Sequence, residues 1–273
     1  MFLANCAEVA PDQYVRKGKK MSNDFSYQDY VTDKAFLDEY NAYQAKYAKQ
    51  MRESDKILVG LVNEVVSKLD SAKGKPKLLD VGCSTGNLLL HLKRHIPQLD
   101  LIGGDLAASS LDECRANPEL AGIAFEVMDL LNLPANGGYD IITINAVLYM
   151  MEDAQFEMAM ESVAGALKTG GTVIVFDFFH PYPQDLHIIE TSKSHPAGLR
   201  LRFRPMAQVE SLLERCGFEM IAFRPFTLPI DLPPSGNEGD LITYTVPVVD
   251  GRKLPFRGTL FQPWCHMSAV RAG

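Results

Sequence analysis

The sequence predicts an α/β fold: a doubly wound, mostly parallel sheet with an antiparallel last strand, an N-terminal helical cap and a C-terminal hairpin insert. Three observations carry the prediction. Between Pro76 and Phe179 short apolar runs alternate with amphipathic helical stretches, the pattern of parallel strands covered on both faces. The first of these runs, Leu78 to Val81, passes through a turn of small residues into a helix, the arrangement found at the ligand edge of such sheets. Past Phe179 the character changes, because eleven of the 16 prolines fall between Pro181 and Pro263 and proline density limits regular structure.

The elements follow in order. Residues 1–20 carry Glu8 and Asp12 where an export signal needs an unbroken apolar stretch, and are expected to be a mobile extension. Residues 21–76 form the expected cap. Phe36, Tyr40, Tyr43 and Tyr47 recur at steps of three and four, one stripe of a helix over Asp33–Arg52. Ser54 is expected to cap a second helix whose apolar face runs from Ile57 to Leu69, ended by Lys73-Gly74-Lys75-Pro76. The core is assigned to 77–225. Its strands are KLLDV, DLIGGD, AFEVMD, YDIITIN and TVIVFDFF, with helices near Asn87–His95, Ser109–Arg115 and Gln155–Leu167. A loop over Phe179–Arg204 then leads to a helix over Met206–Cys216, stopped by Gly217, and a strand over Phe218–Phe223. Residues 226–260 are a proline-rich insert with a hairpin turn signal at Asp250-Gly251. Residues 261–273 supply the last core strand.

Composition narrows the function. With 47% hydrophobic and 22% charged residues the chain is of ordinary globular type, and no apolar run approaches the ~20 residues of a membrane-spanning helix. Thirty-four acidic against 27 basic residues leave a net charge of −7, which disfavours a phosphate backbone as partner. Five scattered cysteines without a C-x-x-C pair suggest neither a disulfide frame nor a zinc ribbon, and fit a cytoplasmic location. His91 and His95 lie four apart on one helix but lack further ligands, so no metal is expected.

The chemistry rests on the segment Leu78-Leu79-Asp80-Val81-Gly82-Cys83-Ser84-Thr85-Gly86-Asn87. Glycines there permit close backbone approach and positive φ, and the helix N-terminus offers free N–H donors. The dinucleotide fingerprint G-x-G-x-x-G is not met, because its third and sixth positions are Ser84 and Asn87, and no Walker Gly-Lys-Ser/Thr exists. Asp80, Gly82, Ser84 and Gly86 instead resemble the acidic-x-Gly-x-Gly-x-Gly motif of class I S-adenosylmethionine-dependent methyltransferases, with Ser84 departing from the pattern. The resemblance extends from about Leu78 to Phe179 and implies a Rossmann-like methyltransferase sheet. It implies that the turn from Asp80 through Gly82, Cys83, Ser84 and Gly86 meets the methionine part of the cofactor. It also implies that Asp105 and Leu106 meet the ribose, that Met128, Asp129 and Leu130 meet the adenine, and that Asn145 meets the methionine end. Tyr47 and Arg52 of the cap are expected to reach the cofactor carboxylate.

What the resemblance implies is in-line transfer of a methyl group to a small-molecule acceptor with an O, N or C nucleophile, such as a sugar derivative or secondary metabolite. Alternatives are a tRNA- or protein-modifying methyltransferase and a non-catalytic partner protein with the same fold. Ala-Val-Leu follows Asn145, where nucleic-acid and glutamine amino-methylases carry Pro-Pro-Tyr/Phe. His180, at the end of the strand TVIVFDFF, is the expected catalytic base or substrate contact, with Tyr149, Trp264 and His266 as further substrate contacts and the insert as a lid.

Overall fold

A computed structural model describes Val31, Leu37, Asn41 and residues 44–70, 74–191, 198–233, 243–248, 250–257 and 260–273. The expectations for residues 1–20 and for Phe36, Tyr40 and Tyr43 lie outside the described residues. The central sheet contains β1 (Lys77–Val81), β2 (Asp100–Asp105), β3 (Ala124–Val127), β4 (Tyr139–Asn145), β5 (Leu167–His180), β8 (Phe218–Pro225) and β12 (Trp264–Arg271). Its order is β3-β2-β1-β4-β5-β12-β8. All pairs from β3 to β5 are parallel, whereas β12 runs antiparallel to both neighbours.

Alternation along each strand separates the two faces. Leu78, Ile141, Ile174 and Phe176 pack toward α1 (Glu53–Val66), α2 (Asn87–His95) and α3 (Ala108–Ala116). Leu79, Ile142, Val173 and Val175 pack toward α4 (Asp153–Ala166) and α5 (Met206–Arg215). Strands buried on both sides are the reason the sequence reads there as continuous apolar runs. The chain turns left from β1 to reach β2 and right to reach β4, so the C-terminal ends of these strands flank a topological switch point.

Several boundaries differ from the sequence expectation. The second cap helix begins at Glu53 with Arg52 in the extended N-cap position, so Ser54 is already inside it. Helix α4 starts at Asp153, closed by a reciprocal capping box between Glu152 and Gln155. The Phe179–Arg204 segment is not a plain loop. It holds the antiparallel pair β6 (Leu186–Glu190) and β7 (Leu199–Pro205), and β7 joins the far end of β5 through Phe179↔Arg204 and His180↔Pro205. In the insert, β9 (Thr243–Pro247), β10 (Lys253–Arg257) and β11 (Leu260–Phe261) form a separate small sheet, with Gly251 in the left-handed region at the hairpin turn. Gln262 and Pro263 separate β11 from β12. No helix of the described residues is long and apolar enough to cross a membrane.

Candidate active site

The turn after β1 is built by three alternate left-handed positions, Gly82 (φ 75°), Ser84 (φ 48°) and Gly86 (φ 76°). Ser84 is the one non-glycine among them, and left-handed backbone costs an L-residue about 1–2 kcal/mol. Two backbone donors, Gly82 and Cys83, share the carbonyl of Gly104 at 2.8 and 3.1 Å, tying the turn to the end of β2. Asp105 then bridges two segments. One carboxylate oxygen accepts from the Ser84 N–H and the other from the Ala107 N–H, both at 2.8 Å. Burial pushes its pKa up, against these donors. Gly104 leaves room for Met128, since a Cβ at Gly104 would stand 2.8 Å from the Met128 sulfur.

Above this turn lies a cavity lined by Gly82, Ser84, Asp105, Leu106, Met128 and Leu130, with Asn145, Tyr149 and Ser110 completing its wall. The hydroxyls of Ser84 and Ser110 are buried, with no hydrogen-bond partner among the described residues. Two such hydroxyls on residues that line one cavity are what a polar ligand would complete. Sequence reasoning missed Ser110, because a serine in the first turn of a helix carries no distinguishing signal.

A second cavity adjoins the first. Tyr47, Arg52 and Ser54 line one side, Phe176 and Trp264 the floor, and Phe226, Leu228 and Ile230 the insert side. Asn145 and Ala146 line both cavities. Ala146 is left-handed (φ 58°) and its N–H donates to Phe176 O at 2.8 Å, which folds the chain over between the two spaces. Tyr149 packs edge-on to Trp264 at 6.3 Å, one ring in each wall. The Arg52 guanidinium lies 4.2 Å over the Tyr47 ring and donates to Gln44 at 2.5 Å. Those two residues therefore sit at the second cavity, not the first.

The turn from Leu148 to Met150 is anchored by two buried charged residues, Asp177 and Arg204, that sequence reasoning did not single out. Asp177 accepts from the N–H groups of Leu148 (2.8 Å) and Tyr149 (3.2 Å), while Arg204 donates to the carbonyls of Leu148 (3.0 Å) and Met151 (2.5 Å). Burial pushes Asp177 up to about 6, opposed by these donors and by Arg204. An acid inside an apolar strand was the available signal.

Six expected site residues line neither cavity. Asp80 is sealed between β1 and β4, accepting from the Thr143 hydroxyl at 2.7 Å, and burial pushes its pKa up to about 7. Cys83 and Gly86 face the packing around Cys114 and Leu120. Asp129 caps the turn after β3 by accepting from Leu131 N–H at 3.0 Å. His180 is 3% exposed. Its Nδ1 accepts from the Tyr182 N–H at 3.3 Å, which makes Nε2 the protonated nitrogen, donating to Phe203 O at 3.1 Å. No lone pair is left for a substrate proton. His266 is buried under Phe176 and Phe226; its Nε2 bonds to Ser54 O, and burial lowers its pKa to about 4. The ligating atoms of Asp153, Asp185 and His187 lie within 4.8 Å of one another. Arg202 bonds to both Asp153 and His187, placing a cation where a metal would go.

The comparisons with known proteins agree with this geometry. A family model described as a methyltransferase domain matches residues 78–171. The ribosomal RNA small subunit methyltransferase C of Klebsiella pneumoniae is 34% identical over 117 residues, 41% of this chain and 34% of that protein. The demethylspheroidene O-methyltransferase of Cereibacter sphaeroides is 30% identical over 191 residues, 68% of this chain and 49% of that protein. The chain thus spans between a third and a half of the length of these curated relatives. A SAM-dependent methyltransferase from Methanosarcina mazei superposes with a TM-score of 0.54 at 15% identity, covering 76% of this chain and 95% of the other, which shows a common fold. The strand order with its antiparallel penultimate strand, the left-handed turn after β1 and the match over residues 78–171 show that this chain carries a methyltransferase domain.

Proposed function

We propose that the chain transfers a methyl group from S-adenosylmethionine to a small-molecule acceptor held in the second cavity. One observation carries this reading: the two cavities meet at Asn145 and Ala146, so a ligand in each would be in contact there. Gly82, Ser84, Asp105, Met128, Leu130 and Ser110 are the residues that would hold the cofactor. The serine hydroxyls on one side and the apolar side chains of Met128 and Leu130 on the other fit a molecule that is polar along one edge and apolar along another. When bound, the cofactor supplies an electrophilic methyl group on a sulfonium.

The residues around the junction do the rest by position. Displacement at the methyl carbon needs the nucleophile in line and water kept out. Phe176, Trp264, Phe226 and Leu228 give the second cavity an apolar wall, and the strap from Tyr47 to Ser54 together with the insert flanks it. The Asp177–Arg204 pair holds the Leu148–Met151 turn against the first cavity. With both His180 nitrogens engaged inside the fold, positioning is the main catalytic device.

A small-molecule acceptor is favoured over RNA by the net charge of −7. It is also favoured by the relative named for an O-methylation of demethylspheroidene, whose alignment reaches well beyond the shared domain. Calorimetry with S-adenosylmethionine and S-adenosylhomocysteine tests the first half of the proposal. Trp264, the single tryptophan, lines the second cavity, so its fluorescence tests the second half against panels of candidate acceptors. Absence of binding by either cofactor form would overturn the reading.

A further inference from the structure

Helix α1 buries Asp55, Leu58, Val59, Val62 and Val66, one continuous stripe at helical spacing. Its first member is an acid, 2% exposed, standing where the pattern calls for an apolar side chain. Such a group costs stability unless it is paired. Burial raises its pKa, and the neighbouring Arg52 and its hydrogen bond from Asn145 oppose the rise. That bond joins the Nδ2 amide of Asn145 to the Asp55 carboxylate at 3.2 Å. Asn145 is also one of the two residues shared by both cavities.

An amide has a donating end and an accepting end, and a carboxylate can only accept. With Nδ2 committed to Asp55, the carbonyl oxygen is turned away from α1. We propose that Asp55 is a positioning residue, which locks the Asn145 amide with its carbonyl oxygen toward the junction of the two cavities, to accept a hydrogen bond from a ligand ammonium group. On the cofactor reading above, on which this inference rests, that group is the α-ammonium of the methionine part. The transferable methyl must face the second cavity, which brings the attached amino acid to the same junction. The carboxylate polarises the amide through its bond, and Arg52, lying on Tyr47, opposes the rise in its pKa.

The experiment compares two ligands by calorimetry: S-adenosylhomocysteine, and 5′-methylthioadenosine, which keeps the adenosine and thioether but lacks the amino acid. Asp55→Asn lets the amide rotate, and Asp55→Leu completes the apolar stripe. Both variants are expected to bind S-adenosylhomocysteine about tenfold or more weakly, the scale of one charge-assisted hydrogen bond, with 5′-methylthioadenosine affinity unchanged. Asp55→Leu is expected to melt at a higher temperature than the parent, so that its loss of affinity cannot be a loss of fold. Asn145→Ala should show the same selective loss, and adding Asp55→Leu to it should bring no more. Equal weakening of both ligands, or unchanged S-adenosylhomocysteine affinity in Asp55→Leu, overturns the proposal. A parent protein that binds neither ligand overturns the cofactor reading itself, and this inference with it.

Discussion

Replacing Asp80 by Asn should make the protein more stable at neutral and alkaline pH while changing little in acid. Asp80 is sealed in the sheet, where burial, aided by the charges of Asp55 and Asp105 and opposed by the Thr143 hydroxyl, raises its pKa from the ordinary 3.8 to about 7. Between about pH 4 and 7 the native protein holds a proton that the unfolded chain has released. Stability therefore falls as pH rises through that window and levels off above it. The interval corresponds to about 4 kcal/mol at ~1.4 kcal/mol per pH unit, an order-of-magnitude cost of holding this carboxylate charged in the core. An asparagine keeps an oxygen to accept from Thr143 and carries no charge. Urea unfolding at pH 4.5, 6 and 8 should show the two proteins nearly equal at the lowest pH, with the variant ahead by up to ~4 kcal/mol at the highest. Some pH dependence remains in the variant, because Asp177 is raised to about 6 by its own burial. A stability difference that is constant across pH, or a variant that is weaker at pH 8, would refute the reasoning.

Other substitutions test the remaining parts of the site. Asp105→Ala strands the N–H groups of Ser84 and Ala107; at ~1–3 kcal/mol per unsatisfied buried donor it should lower the melting temperature and weaken S-adenosylhomocysteine binding together, and a variant intact in both would show that the bridge does not matter. Arg204→Met frees the buried carbonyls of Leu148 and Met151 and removes the charge that opposes the rise in the Asp177 pKa; at ~1–3 kcal/mol per buried carbonyl left unsatisfied, urea titration should show a loss of ~2–6 kcal/mol, partly recovered on adding Asp177→Asn. His180→Ala removes two buried hydrogen bonds, so thermal melting should register a loss of stability while cofactor affinity stays the same; once an acceptor is in hand, a fall in turnover on the ~10²–10⁴ scale of a lost general base would restore His180 to the chemistry.

The sheet was legible because its physics is periodic. Runs such as YDIITIN and TVIVFDFF are apolar on both sides of each strand, and only a sheet covered on two faces demands that. The ligand edge was legible for a related reason: small residues at Gly82, Ser84 and Gly86 meet a steric requirement that the three positive φ angles make visible. Strand ends alone, however, locate residues without stating which way their side chains point. Asp80 and Asp105 both close or approach the end of a strand, yet one bonds to Thr143 inside the sheet and the other bridges the turn at the cavity.

The expectation of a base at His180 meets a neighbour in the fold. A base at that position presupposed an open loop after β5, and the prolines encouraged this view. The segment 199–204 nevertheless alternates Leu199, Leu201 and Phe203 with Arg200, Arg202 and Arg204, a period of two that marks a strand with one apolar face. Once that strand forms, its last residues pair with Phe179 and His180, and Phe203 offers its carbonyl to the imidazole. The same strand delivers Arg204 to the turn at Leu148. The pattern that engages both His180 nitrogens is therefore the one that brings a buried arginine to the turn beside the first cavity, and both consequences follow from reading the arginines as one face of a strand.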